Sequence, residues 1–153
     1  MKQGLARQQG IGSLAIIGVV VVIALIAVAV IAALRYRLDT QVNESIALLQ
    51  STESAFQSYQ EIYGQFPGDD GPLALLSLRG EQWSPVMSGD ADGNLEAPDF
   101  RTFTGVDESG AFWQHLRAAG LLPGDPALVG VDALPINAFG GHLGVLAQPM
   151  GGG

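Results

Sequence analysis

Asp90, Asp92 and Asn94 form a D-x-D-x-N string. Three oxygen-bearing side chains at alternate positions of a turn suit a hard cation such as calcium. Glu96 and Asp99 follow closely enough to complete such a site. The string is not an EF-hand, because Gly93 comes too early and the twelfth position counted from Asp90 is Arg101, where a bidentate glutamate belongs. A solvated polar turn is the alternative. His115 lies beside the apolar face of a predicted helix and reads as a packed or capping side chain. His142 stands between Gly141 and Leu143 with no acid near it in sequence and receives no role.

No G-x-S-x-G, P-loop, H-E-x-x-H or G-x-G-x-x-G pattern occurs. The chain has no cysteine, which excludes disulfide frameworks, thiolate zinc sites, iron–sulfur clusters and cysteine nucleophiles. We therefore assign no catalytic residue and no cofactor beyond calcium at the acidic string.

Charge is divided unevenly along the 153 residues. Residues 1–38 hold Lys2, Arg7, Arg35 and Arg37 and no acid, whereas all 15 acids fall in residues 39–153, which carry a net −12. Binding a phosphate backbone needs clustered Lys and Arg, so the acidic body argues against nucleic acid. Between Arg7 and Arg35 nothing is ionisable, and Leu14 to Leu34 is aliphatic apart from Gly18. As a helix this run covers about 32 Å, the hydrocarbon thickness of a bilayer. A cleaved signal peptide has a shorter apolar centre of about 7–15 residues followed by a small-residue site. The run here continues into a helical pattern instead, as a retained anchor would.

Past Arg37 the apolar positions Leu38, Val42, Ile46, Leu49, Phe56, Tyr59 and Tyr63 follow one face of a 3.6-residue helix, and Gly64 then Pro67 mark its end. The spacing predicts one helix from about Ile11 to Tyr63, half transmembrane and half amphipathic. Asp107 is the expected N-cap of a second helix from Glu108 to Ala119, with Gly120 as its stop. Short strands are expected at Leu128–Val131 and His142–Leu146.

The leader from Met1 through Lys2 and Arg7 to Gly10, with Ile11 opening the apolar run, resembles the leader of type IV pilins and type II secretion pseudopilins. Tyr63-Gly64-Gln65-Phe66-Pro67-Gly68-Asp69 looks like the "Y-x-x-x-P-G-D" that ends their long helix, and Gly89 to Glu96 resembles their glycine-and-acid loop. Glu108 with Phe112 to Leu121 is similar to their "E…(F/W)-x-H-L-x-x-A-G-L" helix. The resemblance implies an α+β pilin-like fold, a long N-terminal helix packed on a small loop-rich head with short strands. It divides the chain into a leader (1–10), a transmembrane segment (11–37) and an acidic extracytoplasmic part (38–153). It further implies cleavage between Gly10 and Ile11 by a prepilin peptidase, methylation of the new amino terminus, and partners among other pilin or pseudopilin subunits through the apolar helix. The place implied is the bacterial inner membrane, crossed once with the head outside the cytoplasm, or a filament.

Members of the family it resembles usually carry glutamate five residues into the mature chain, where this sequence has Ala15. That departure suits a minor or tip-type subunit. The alternatives are a non-polymerising, membrane-anchored extracytoplasmic binding module and, more remotely, a tethered enzyme using the Asp90 to Asp99 loop.

Overall fold

The computed structural model describes residues 5–96 and 102–146, with the backbone alone for residues 5–14. The chain divides into two units at the Val42–Asn43 boundary. Helix α1 (Leu5–Tyr63, 59 residues) begins earlier than the expected Ile11. Leu5 to Gln9 are helix-compatible residues without proline, so no local signal stops the helix there. At its other end Gly64, with φ 70°, takes the left-handed conformation and donates its N–H to the Gln60 carbonyl at 2.8 Å. Glycine adopts that conformation without a Cβ penalty, so the helix closes where the sequence places it.

In the first unit every described side chain from Ala15 to Asp39 is exposed. This helix is long and apolar enough to cross a membrane.

In the second unit the predicted apolar face of α1 is buried only over its last turns. Ala55 and Tyr59 are buried and Phe56 and Tyr63 half-buried, whereas Ile46 and Leu49 are exposed. The core adds Leu76 from the short α2 (Leu73–Leu76), Trp83 from a 3₁₀ turn, and Phe112, Trp113 and Leu116 from α3 (Asp107–Ala118). Tyr59 lies 4.6 Å from Tyr63 and 6.3 Å from Trp83 by ring centroid, an aromatic spine in tilted contacts. Helix α3 starts one residue before the expected Glu108: Val106 holds the capping place and Asp107 enters the helix at φ 63°. Its end is a Schellman motif. Leu121 N–H donates to the Leu116 carbonyl and Gly120 N–H to the Arg117 carbonyl, both at 2.9 Å, with Gly120 at φ 71°.

The expectation of short strands, and with it the α+β head, is corrected. Among the described residues there is no strand, only an isolated antiparallel bridge between Ile136 and His142. Within the predicted strand Leu128–Val131, Gly130 turns at φ 62° and opens a 3₁₀ turn (Gly130–Ala133). Gly105 lies so close to it that a Cβ there would overlap the Gly130 carbonyl. At the other predicted strand, Asn137 Oδ1 accepts the N–H groups of Phe139 at 2.9 Å and Gly141 at 3.0 Å, bending the chain back so that His142 alone forms a bridge and the Leu143 N–H donates to the Pro135 carbonyl at 2.8 Å. Side-chain capping of a turn has replaced a ladder.

Leu116 is fully buried in this core and Leu78 is 82% exposed. Leu116→Ala is expected to cost about 2–5 kcal/mol, and Leu78→Ala no more than about 0.5 kcal/mol. Denaturant titration of the full chain in micelles, followed by tryptophan fluorescence, measures both.

Candidate functional site

The turn after α1 carries Pro67, Gly68, Asp69 and Asp70, all buried. Two buried neighbouring carboxylates need partners, since an unpaired charge away from water is expensive. Asp69 finds its partners in the acidic loop: Oδ1 accepts the Asp92 N–H and Oδ2 the Gly93 N–H, each at 3.0 Å. Its carbonyl accepts the Ala91 N–H at 2.8 Å, and the Asp70 carbonyl accepts the Gly89 N–H at 3.0 Å. Gly89 is required here, because a Cβ would overlap the Asp69 backbone.

Within the loop, Asp90 Oδ1 accepts the Asp92 N–H at 3.1 Å, and Asp92 Oδ1 the Asn94 N–H at 2.8 Å, two successive Asx turns. From α3, Glu108 takes the N–H groups of Asp90 at 3.3 Å and Glu96 at 2.7 Å. Burial foremost, with the nearby negative Asp69 and Asp90 adding, raises the Glu108 carboxyl above its ordinary range against the pull of those two N–H groups. Carboxylate oxygens of Asp69, Asp90 and Asp92 all lie within 4.8 Å of one another. The donor set is entirely hard oxygen, and each oxygen keeps a lone pair beyond the N–H it accepts, so the cluster fits a calcium ion.

The structure thus brings Asp90 and Asp92 together as the sequence suggested and adds Asp69. Asn94 is turned to a different task, its amide donating to Asp92 Oδ2 at 3.2 Å. Glu96 contributes its N–H to Glu108, and Asp99 lies outside the described residues.

Asp70 is satisfied on the other side of the turn. It pairs with Arg79 (Nη1 to Oδ2 2.7 Å, Nη2 to Oδ1 3.3 Å) and accepts the Tyr59 hydroxyl at 2.7 Å. The Arg79 guanidinium lies over the rings of Tyr63 at 4.3 Å and Trp83 at 4.9 Å. Burial, then the Asp70 carboxylate it donates to, holds the Tyr59 hydroxyl protonated far above its ordinary range.

His115, fully buried on α3, meets the expectation of a packed, capping histidine: its Nδ1 accepts the Gly68 N–H at 2.9 Å and its Nε2 lies 2.7 Å from the Met87 carbonyl. A carbonyl only accepts, so this pair of partners assigns the neutral tautomer with hydrogen on Nε2. Gln114 beside it accepts the Met87 N–H and donates to the Leu128 carbonyl, each at 2.8 Å. His142 is exposed. Sequence reasoning missed Asp69, Asp70, Arg79, Tyr59 and Gln114. The available signals were the Tyr63–Asp69 motif, which ends on Asp69, and the second acid, Asp70, directly after it.

With this geometry established, the chain was compared with known proteins. It matches no family model, no curated protein and no solved structure.

Burial lowers the pKa of His115 below its ordinary value, opposed by the Met87 carbonyl. Above about pH 6.5 the histidine is neutral folded and unfolded; below it the unfolded chain takes up a proton that the folded one refuses, so stability falls as pH drops. We expect melting temperatures flat from pH 8 to 7 and declining towards pH 5, with the decline reduced in His115→Gln. Thermal melts across that range measure it.

Proposed function

We propose that this chain is a structural subunit of the type IV pilin or type II secretion pseudopilin kind, of minor or tip type. It is made as a precursor and anchored once in the bacterial inner membrane with its acidic head outside. The observation that supports this most is the apolar run opening directly after Gly10, whose described side chains are exposed throughout. Such a surface needs lipid or other apolar helices around it. A cut before the run keeps that anchor, and a cut after it would discard it. Ala15 fits a subunit that need not neutralise a neighbour's terminal amine in an apolar surround, where an unpaired charge is costly.

Processing tests the reading. Co-expression with a prepilin peptidase should leave Ile11 as the first residue, measured by mass spectrometry of the intact protein. A chain still beginning at Met1 favours the non-assembling anchored module instead, and one cut beyond Leu34 contradicts the anchor itself.

In this proposal Asp69, Asp90 and Asp92 hold calcium, which supplies positive charge to a loop otherwise crowded with carboxylates. Stabilisation follows RT ln(1 + [L]/Kd). Millimolar calcium should therefore raise the melting temperature of the full chain in micelles, and Asp92→Ala should abolish the rise. An equal rise in the variant, or none in the wild type, shows a polar turn held by its own hydrogen bonds.

A further inference from the structure

Aspartate precedes glycine at two places in the chain, Asp70 before Gly71 and Asp92 before Gly93. A glycine in that position has no Cβ to shield its nitrogen. The nitrogen can therefore close on the preceding Cγ and form a five-membered succinimide ring. Sequence makes the two pairs equivalent, and the fold separates them.

Asp70 is buried, and both its oxygens are engaged: Oδ2 by the Tyr59 hydroxyl and Arg79 Nη1, each at 2.7 Å, and Oδ1 by Arg79 Nη2 at 3.3 Å. Gly71 packs so closely on the Gly89 carbonyl that a Cβ there would overlap it. Ring closure at this pair means breaking a buried ion pair inside a tight turn, which is strongly unfavourable. The water needed to open the ring has no access to a carboxyl buried this deeply.

Asp92 and Gly93 are both exposed, and nothing lies within 4 Å of where a Gly93 Cβ would stand. Both carboxylate oxygens of Asp92 are turned forward to Asn94, Oδ1 accepting its N–H at 2.8 Å and Oδ2 its side-chain amide at 3.2 Å. The first of these bonds closes an Asx turn, a ring of atoms that runs through the Gly93 nitrogen. Beyond these exposed bonds, ring closure breaks one more, the donation of the Gly93 N–H to Asp69 Oδ2 at 3.0 Å.

We propose that Asp92 is a site of spontaneous succinimide formation and isomerisation to isoaspartate, and that the fold protects Asp70 from the same reaction. The Gly93 nitrogen bonds to Cγ of the carboxyl in its acid form; the nitrogen's proton and the carboxyl hydroxyl leave as one water. A second water then opens the ring. Attack at the side-chain carbonyl restores aspartate, and attack at the backbone carbonyl leaves the chain running through the former side chain. The isomerised backbone is one methylene longer, so the Asp92 and Gly93 N–H groups no longer meet the two oxygens of the buried Asp69 together. A buried carboxylate left short of a donor destabilises the head. This chemistry is independent of the subunit reading and of whether the cluster binds calcium.

The full chain in micelles, held with a chelator in neutral buffer at physiological temperature for weeks, tests it. Isoaspartate is quantified with an isoaspartyl methyltransferase and located by electron-transfer fragmentation. It should accumulate at Asp92 at least about tenfold faster than at Asp70 in the folded chain, and at similar rates at both in concentrated urea. The aged chain should melt below the fresh one. Asp92→Glu keeps a carboxylate but closes only the slower six-membered ring, and its melting temperature should survive ageing. The site is overturned if the folded chain gains no isoaspartate at Asp92, and the protection if Asp70 keeps pace with it there. The effect on the head is overturned if isomerised chain melts like fresh chain, or if Asp92→Glu loses as much on ageing as the wild type.

Discussion

A helical surface on which every side chain from Ala15 to Leu34 is exposed, and none is charged, cannot rest in water, and the rest of the account follows from that constraint. Its 13 leucines, isoleucines and valines favour insertion by about 4–8 kcal/mol in total. The same property explains why α1 needs no capping or salt-bridge support there. Within hydrocarbon, the helix satisfies its own backbone. What the chain does is therefore tied to where that surface is covered, by lipid or by neighbouring helices.

The second unit solves a different problem, that of a fold with no strand among its described residues. Loops carry backbone donors that no ladder satisfies, and each buried one needs a partner. The head supplies them from buried polar side chains. Asp69 and Glu108 gather the acidic loop, His115 caps the turn after α1, and Gln114 spans two loops. Asp70, Arg79 and Tyr59 then lock that turn to α1 itself. The histidine and acids that look catalytic in a sequence are in this head the internal scaffolding of loops. The acidic cluster serves the fold first, and calcium binding would be built on an arrangement already held by N–H groups.

Legibility followed the range of the interaction. The apolar run, the end of α1 at Gly64 and the stop of α3 at Gly120 were readable because each depends on residues within a turn or two. The loop residues Asp90 and Asp92 were readable for the same reason. The strands were not: Leu128–Val131 is β-branched and apolar enough to suggest one, but the turn at Gly130 packs against the distant Gly105, and the local Asn137 cap over Phe139 and Gly141 competes with the second strand. Asp69 lies 23 residues before its partner Asp92 and Gly68 lies 47 before His115, and nothing in local spacing announces such pairs. The amphipathic pattern was right in period and too generous in extent, since periodicity shows which residues share a face and not how much of that face finds a neighbour.

The chain has no cysteine, so single introduced thiols report on their surroundings without background. Val22→Cys places one in the apolar run and Ile62→Cys one on the exposed face at the end of α1. In spheroplasts treated with a membrane-impermeant maleimide, the account predicts rapid labelling of Ile62→Cys and none of Val22→Cys until detergent is added. Labelling of Val22→Cys as fast as Ile62→Cys, or labelling of Ile62→Cys only after the cells are broken, would contradict it.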